Sequence, residues 1–351
     1  MATAEGRAAD DASNERAKAR SFHHSEFSLE RIAAARAERG LRVSVCLPAR
    51  ECAGTVGRIV AALSSLREAG AIDQLLVVDA ASADGTAEIA AQAGAEVRQE
   101  AELMPEHGAV LGKGDAMWRA LSALSGELVC FLDADSEQFS AHFAMGLLGP
   151  LVCEPGVSFV KAFYRRPLAS PEQQAMASSD AAIALGSPLA GVADLAEGGG
   201  RVNHLTARPA LALFYPPLAQ IRQPLAGEVA ARRELLERLP FVTGYGVEVA
   251  MLIDAWRAVG IEAIAQVDLD EHFNQHKTLA ELAPMAQTVL ATIARRVERD
   301  GRLTLDDDAP RAPLERPPMR DVLAHADADA DASDVGADAG DAADVGGAAG
   351  A

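Results

Sequence analysis

From Ser28 onward the chain alternates short runs that are apolar throughout with longer stretches in which apolar residues return every three or four positions. SLERIAAARAERG opens the series: Ser28 is placed to cap a helix, Glu30 lies in its first turn and Gly40 stops it. VSVCL (43–47), closed by Pro48, predicts a buried strand. Beyond Thr55, the residues Val56, Ile59, Val60, Leu63 and Leu66 fall on one helical stripe. LLVVD (75–79) predicts a second buried strand, followed by the turn-rich AASADGT, a helix over 86–93 and a short strand at AEVR. Gly112-Lys113-Gly114 precedes the helix DAMWRALSALSG, and LVCFLDAD (128–135) predicts a strand that ends in carboxylates.

The second half has a looser pattern. VSFVKAFYRRP (157–167) predicts a strand, EGGGRVN (197–203) a glycine-rich loop, and GEVAARRELLERL and YGVEVAMLIDAWRAVG two helices around the turn LPFVTG. IEAIAQVDL predicts a strand leading into EHFNQHK, and 279–299 a long helix. Uninterrupted apolar strands alternating with helices predict an α/β fold, a mostly parallel sheet flanked by helices on both faces. In such sheets ligands bind outside the carboxyl ends of the strands. Arg50, Glu51, Asp79, Asp133 and Asp135 all fall at those ends.

Composition narrows the chemistry. The formal charge of −19 argues against a nucleic-acid partner, which would need clustered cations. Part of the acidity lies in a low-complexity aspartate- and alanine-rich tail with no Lys or Arg after Arg320, expected to be disordered. Cys46, Cys52, Cys130 and Cys153 form no CxxC pair, and Cys46 and Cys130 sit inside apolar runs, a pattern that suits a reducing, cytoplasmic setting. No stretch reaches the roughly 18 apolar residues of a membrane span, and the first residues lack the apolar core of a signal peptide.

Several segments carry candidate chemistry. Asp133-Ala134-Asp135 leaves a strand with two carboxylates that can face one hard divalent cation, although such a triplet alone also reads as a solvated acidic turn. Pro48, Ala49, Arg50 and Glu51 follow the first strand beside Asp79, which could accept from a base; alone, the Asp79 segment reads as a plain turn. Lys113 between two glycines can meet a diphosphate. Gly200, Arg201, Val202 and Asn203 offer backbone amides and a guanidinium to a phosphate or carboxylate, or else form a linker. His272, Asn274 and His276 alternate, so either histidine could complete a metal shell, while Glu248 could accept from sugar hydroxyls or simply favour its helix dipole.

Taken together, LGKGDAMWRAL, FVKAFYRRPL, GGGRV, QPLAGE, LPFVTGYGVEV and AIAQVDL resemble the glucosyl-3-phosphoglycerate synthases and their mannosyl counterparts, over roughly residues 28–300. The resemblance implies a retaining glycosyltransferase of the GT-A (Rossmann-like) fold. It would move glucose from UDP-glucose to the 2-hydroxyl of 3-phosphoglycerate with Mg²⁺ (Mn²⁺ as a substitute). Carried over, Pro48, Ala49, Arg50 and Cys52 line the nucleotide pocket beside Asp79. Lys113, Asp133, Ala134 and Asp135 hold the diphosphate and metal, with Asp135 the direct ligand. Leu225, Tyr245 and Glu248 frame the donor sugar, and Gly200, Arg201, Val202 and Asn203 receive the acceptor. Asp135, Lys113 and Glu248 are the expected catalytic residues.

Three departures stand out: Glu51-Cys52 where the family has Asn-Glu, DAD where relatives have DSD, and Asn274 at the family's metal-binding histidine, with His272 and His276 flanking it as the expected substitutes. The expected organisation is a lead-in over 1–27, a nucleotide-sugar half over 28–155, a mixed α/β acceptor-binding half over 156–303, and a linker with the acidic tail over 304–351. The expected partners are a nucleotide sugar and 3-phosphoglycerate, in a homodimer without nucleic acid or a membrane span. Mannosyl transfer from GDP-mannose is the near alternative and a sugar nucleotidyltransferase a remote one, since LPARECAGTV lacks that class's glycine-rich phosphate loop. A catalytically silent binding module is the third.

Overall fold

The computed structural model describes residues 17–166, 200–272 and 278–325. Its centre is an eight-stranded sheet built from β1 (Arg20–His23), β2 (Val43–Ala49), β3 (Gln74–Asp79), β4 (Glu96–Gln99), β5 (Leu128–Phe131), β6 (Phe159–Arg165), β7 (Val229–Arg232) and β9 (Ile264–Glu271). The spatial order is β1-β9-β6-β7-β5-β2-β3-β4. All neighbours run parallel except β7, which is antiparallel to both β5 and β6. β8 (Phe241–Val242) and β10 (Glu315–Arg316) form a separate two-stranded pair.

Alternation along the strands feeds two cores. Leu75 and Val77 of β3 face one of them, with the stripe Val56, Ile59, Val60, Leu63 and Leu66 of the helix Val56–Glu68 and with Phe143 and Leu147 of the helix His142–Cys153. Leu76 and Val78 face the other, under the helices Lys113–Ala120, Val247–Val259 and Leu279–Arg299. Both faces are therefore covered, as the apolar strand runs required. The Ser28 cap is in place, its hydroxyl accepting from the Arg31 N–H at 3.2 Å.

Four expectations are corrected. GEVAARRELLERL is not one helix: its first residues form β7, and only Arg233–Arg238 is helical. VAAR has no strong local preference, and the slot between β5 and β6 decides its conformation. EGGGRVN does not end as a loop, because the chain is helical from Arg201, widens into a π-helix at Asn203–Ala207 and continues as Arg208–Phe214. Pro209 has no N–H to close an ordinary bond to Leu205, which accounts for the wider turn at that point. The lead-in assigned to 1–27 gives up its last residues to β1, to a 3₁₀ turn over His24–Glu26 and to the buried Phe27; residues 1–16 lie outside the described part.

The fourth correction concerns residues 304–325, read as a linker. β10 pairs with β8, Met319 is fully buried, and the Trp118 indole N–H donates to the Pro317 carbonyl at 2.8 Å. Arg316 donates to Asp115 from Nε and Nη2, both at 2.8 Å, and to the His107 carbonyl at 2.9 Å. Arg119 completes the group, donating to Asp115 at 3.3 Å and to the Leu103 and Met104 carbonyls at 2.7 and 2.8 Å. Asp115 and Arg119 are fully buried. This C-terminal strap thus fixes the helix that begins at Lys113 and the loop before it. The acidic tail over 326–351 lies outside the described residues.

Two truncations test the strap. A chain ending at His325 should melt within a few degrees of the full chain. Arg316→Ala, which leaves the buried Asp115 short of a partner, should cost about 3–5 kcal/mol in a denaturant titration. A chain ending at Pro313 should lose at least as much. Equal stability of all four proteins would show the strap to be a passive tether.

Candidate active site

Parallel pairing brings the strand ends into register. Ala49 lies opposite Asp79 and Asp79 opposite Gln99, while β5 leaves the sheet as Leu132, Asp133, Ala134 and Asp135. The Lys113 ammonium spans this edge, 2.5 Å from Asp133 Oδ1 and 3.1 Å from Glu248 Oε1. Lys113 and Glu248 each sit in the first turn of a helix. The two turns abut: a Cβ on Gly112 would lie 3.4 Å from Gly244 Cα, and one on Gly114 would sit 1.9 Å from the Val242 carbonyl oxygen. Only glycine at 114 lets the lysine turn come this close. Burial works against the Lys113 charge, but Asp133 and Glu248 outweigh it and raise its pKa well above the ordinary value.

Because β7 runs against its neighbours, the residue before it is delivered to the same edge. That residue is Glu228, fully buried, with the Tyr164 hydroxyl donating to it at 2.9 Å and His272 Nε2 at 3.3 Å from its other oxygen. His272 Nε2 also lies 2.7 Å from the Ser136 hydroxyl, and its ring stacks on Tyr164 with centroids 4.5 Å apart. Arg166 donates to the Tyr164 hydroxyl at 2.8 Å. Burial works to raise the Glu228 carboxyl, yet His272, Arg166 and Lys113 outweigh it and hold the pKa down at about 2. Lys161, also buried, donates to the Ala226 carbonyl at 2.5 Å, and burial lowers its pKa to about 8. Sequence reading singled out His272 but missed the groups around it, Glu228, Tyr164 and Arg166. Glu228 stood in QPLAGE, but a helix predicted over it gave no reason to place it at a strand end.

On the nucleotide side, Asp79 is buried, its Oδ2 accepting from the Ser82 N–H at 3.0 Å and from Gln99 at 3.1 Å. Its Oδ1 has no hydrogen-bond partner among the described residues, an acceptor left open for a donor such as a base N–H. Glu51, in the left-handed region at φ 53°, accepts from the Ala83 N–H and belongs to the loop structure. The Cys52 N–H donates to Thr86, and burial pushes the Cys52 thiol up to about 11. Pro48 and Ala49 close β2 beside the exposed Arg50.

In the segment expected to receive the acceptor, Gly200 takes φ 70° and Arg201 and Val202 open the helix. The buried Asn203 accepts from the Leu225 N–H at 3.0 Å, tying this helix to the segment that leads to Glu228. Tyr245 is 54% exposed at the start of the Glu248 helix. The structure therefore brings Asp133 and Glu248 to Lys113, and ties the Arg201 helix to Leu225 through Asn203. Asn274 and His276 lie outside the described residues.

The strand-end carboxylates suit a divalent cation. Asp135 is exposed, and crowding by the surrounding protein followed by repulsion from Asp133 raises its pKa; a cation bound to the carboxylates would relieve that repulsion. Gly227 leaves the space for Asp133, since a Cβ there would sit 2.2 Å from Asp133 Oδ2. His272 has its Nε2 engaged by Ser136 and Glu228, while its buried Nδ1 has no hydrogen-bond partner among the described residues.

Gly227→Ala should displace Asp133 and lower kcat/KM by about 100-fold or more, while circular dichroism still reports a folded protein. Asp135→Ala should remove metal-dependent turnover with the fold intact. Near-normal turnover in either variant would detach that carboxylate from the chemistry.

Residues 44–143 match the model of glycosyl transferase family 2. The glucosyl-3-phosphoglycerate synthase of Petrotoga mobilis is 37% identical over 82% of this chain and 84% of its own length. That of Mycobacterium tuberculosis is 39% identical over 78% of this chain and 79% of its own. A crystal structure of the Mycobacterium tuberculosis enzyme with Mn²⁺, UDP-glucose and phosphoglyceric acid superposes with a TM-score of 0.71 at 34% identity, covering 87% of this chain and 99% of that one. The mannosyl-3-phosphoglycerate synthase of Rubrobacter xylanophilus superposes with a TM-score of 0.73 at 43% identity, over 86% and 96%. The sheet, its order of helices and these relatives together place the chain in the glucosyl-3-phosphoglycerate synthase family of GT-A-fold glycosyltransferases.

Proposed function

We propose that this chain transfers glucose from UDP-glucose to the 2-hydroxyl of 3-phosphoglycerate with retention of configuration, giving glucosyl-3-phosphoglycerate. The observation that carries the proposal is Lys113, which bridges the strand-end Asp133 and the sugar-side Glu248. With its pKa raised, Lys113 stays protonated and offers a fixed positive charge to the departing diphosphate. A divalent cation at Asp135, Mg²⁺ or Mn²⁺, would neutralise further diphosphate charge as a Lewis acid. His272 then acts by holding Glu228 and Ser136 in place.

The residues argue for a front-face displacement. Glu248 is held by Lys113 and Glu228 by Tyr164 and His272, so neither is poised as a nucleophile toward the sugar. The bond from the anomeric carbon to the phosphate oxygen breaks as the bond to the acceptor oxygen forms, on the same face. The departing phosphate oxygen takes the acceptor's proton. Arg201, with the backbone around Gly200, receives an anionic group of the acceptor. A homodimer in the cytosol remains part of the proposal, with the exposed Leu205 and Leu213 of the Arg201 helix as an apolar surface available to it.

Steady-state kinetics with each substrate varied in turn test the acceptor assignment. Arg201→Ala should raise KM for 3-phosphoglycerate strongly and leave KM for UDP-glucose nearly unchanged; Arg201→Lys should recover only part, because a point charge lacks the guanidinium fork. A shift in the donor's constant instead would move Arg201 to the nucleotide half. The 43% identity to a mannosyl enzyme favours GDP-mannose as the second reading. A higher kcat/KM with GDP-mannose than with UDP-glucose would establish it.

A further inference from the structure

At the outer edge of the sheet β1 pairs with β9, so that His23 lies opposite Asp268. Just beyond, β9 carries a bulge: Phe163 pairs with Asp268 but Arg165 with Glu271, which leaves an extra residue on β9. Asp270, in that bulge, takes φ 65°, unusual for a residue with a side chain. The bulge turns its carboxylate toward β1. Asp270 Oδ1 lies 3.1 Å from His23 Nε2 and Oδ2 lies 2.7 Å from His24 Nε2.

Adjacent strand residues would ordinarily point to opposite faces. Here the chain leaves the strand at His23 and enters a 3₁₀ turn at His24, which brings both rings to one carboxylate, their centroids 4.5 Å apart. Among the described residues these three are the one set of His, Cys, Asp or Glu side chains whose ligand atoms all lie within 4.8 Å of one another. We propose that His23, His24 and Asp270 bind a divalent transition metal of the zinc class, at a site that shares no residue with the strand-end carboxylates of Asp133 and Asp135.

Two imidazole nitrogens and one carboxylate, with room for water, form a donor set suited to Zn²⁺, Co²⁺ or Ni²⁺ rather than to Mg²⁺. The surroundings are built for it. His23 Nδ1 lies 2.7 Å from the Ser25 hydroxyl and accepts from the Ser25 N–H at 3.3 Å, which fixes the ring with Nε2 toward Asp270. The His24 ring packs on His142 at 4.5 Å, and His142 Nε2 reaches the Leu269 carbonyl at 3.1 Å, next to Asp270. Gly146 leaves space for this packing, as a Cβ there would sit 2.9 Å from His24 Cβ. His23 and Asp270 are 40% and 52% exposed, which gives an ion access. Bound there, the metal clamps the edge strand to the bulge that leads into Glu271 and His272.

The test uses the full chain, stripped with a chelator and titrated with Co²⁺ while visible absorption is recorded, with Zn²⁺ calorimetry alongside. One equivalent should give the intense bands of four-coordinate Co²⁺. His24→Ala and Asp270→Asn should abolish those bands and weaken Zn²⁺ binding by at least about 10–100-fold. Asp135→Ala should leave both unchanged. His23→Ala, a change at a partly exposed side chain, serves should Asp270→Asn fail to fold. Absence of the bands, or bands lost in Asp135→Ala and kept in His24→Ala, would overturn the site.

Discussion

Carboxylates crowded at one edge of one sheet impose the constraint on which the rest of this structure depends. Asp133, Asp135, Glu228 and Glu248 all act on the single Lys113 ammonium or on one another. Left alone, they would repel one another and take up protons. The fold answers with cations placed at short range, Lys113 between Asp133 and Glu248 and Arg166 through Tyr164, and with the His272 ring beside Glu228. What stays least balanced is Asp135, which burial and the neighbouring Asp133 both disfavour as an anion. On the proposed reading, that residual negative charge holds a divalent ion, which in turn neutralises the nucleoside diphosphate.

Distant parts of the chain serve this edge. The antiparallel strand Val229–Arg232 presents Glu228 where a parallel strand would have presented its far end. Gly227 and Gly114 are small because Asp133 and the Val242 carbonyl occupy the space a side chain would need. The strap at Glu315–Arg316 closes the Asp115–Arg119 group from about 200 residues away in sequence and thereby sets the helix that begins with Lys113. Loss of that strap would be felt first in the position of the ammonium.

Much of this was legible in the residues. The stripe from Val56 to Leu66, the Ser28 cap and the strand end at Asp79 follow from periodicity and turn chemistry acting over a few residues, and the structure has them where expected, whereas the strand read over 128–135 stops at Phe131, before the carboxylates. What escaped depends on contacts made far along the chain. VAAR becomes a strand because two other strands flank it, RSFH because it completes an edge, and ERPPM docks because Asp115 and Trp118 wait for it. The Glu228–His272 contact escaped for the same reason: the strand that presents Glu228 was read as a helix.

The most direct test of the account is nuclear magnetic resonance of the product formed from UDP-glucose, 3-phosphoglycerate and Mg²⁺ or Mn²⁺. Retention at the edge organised by Lys113 predicts one phosphorylated product whose glucosyl unit keeps the α configuration of the donor. A β-linked product, or free glucose with the phosphoglycerate unconsumed, would contradict it.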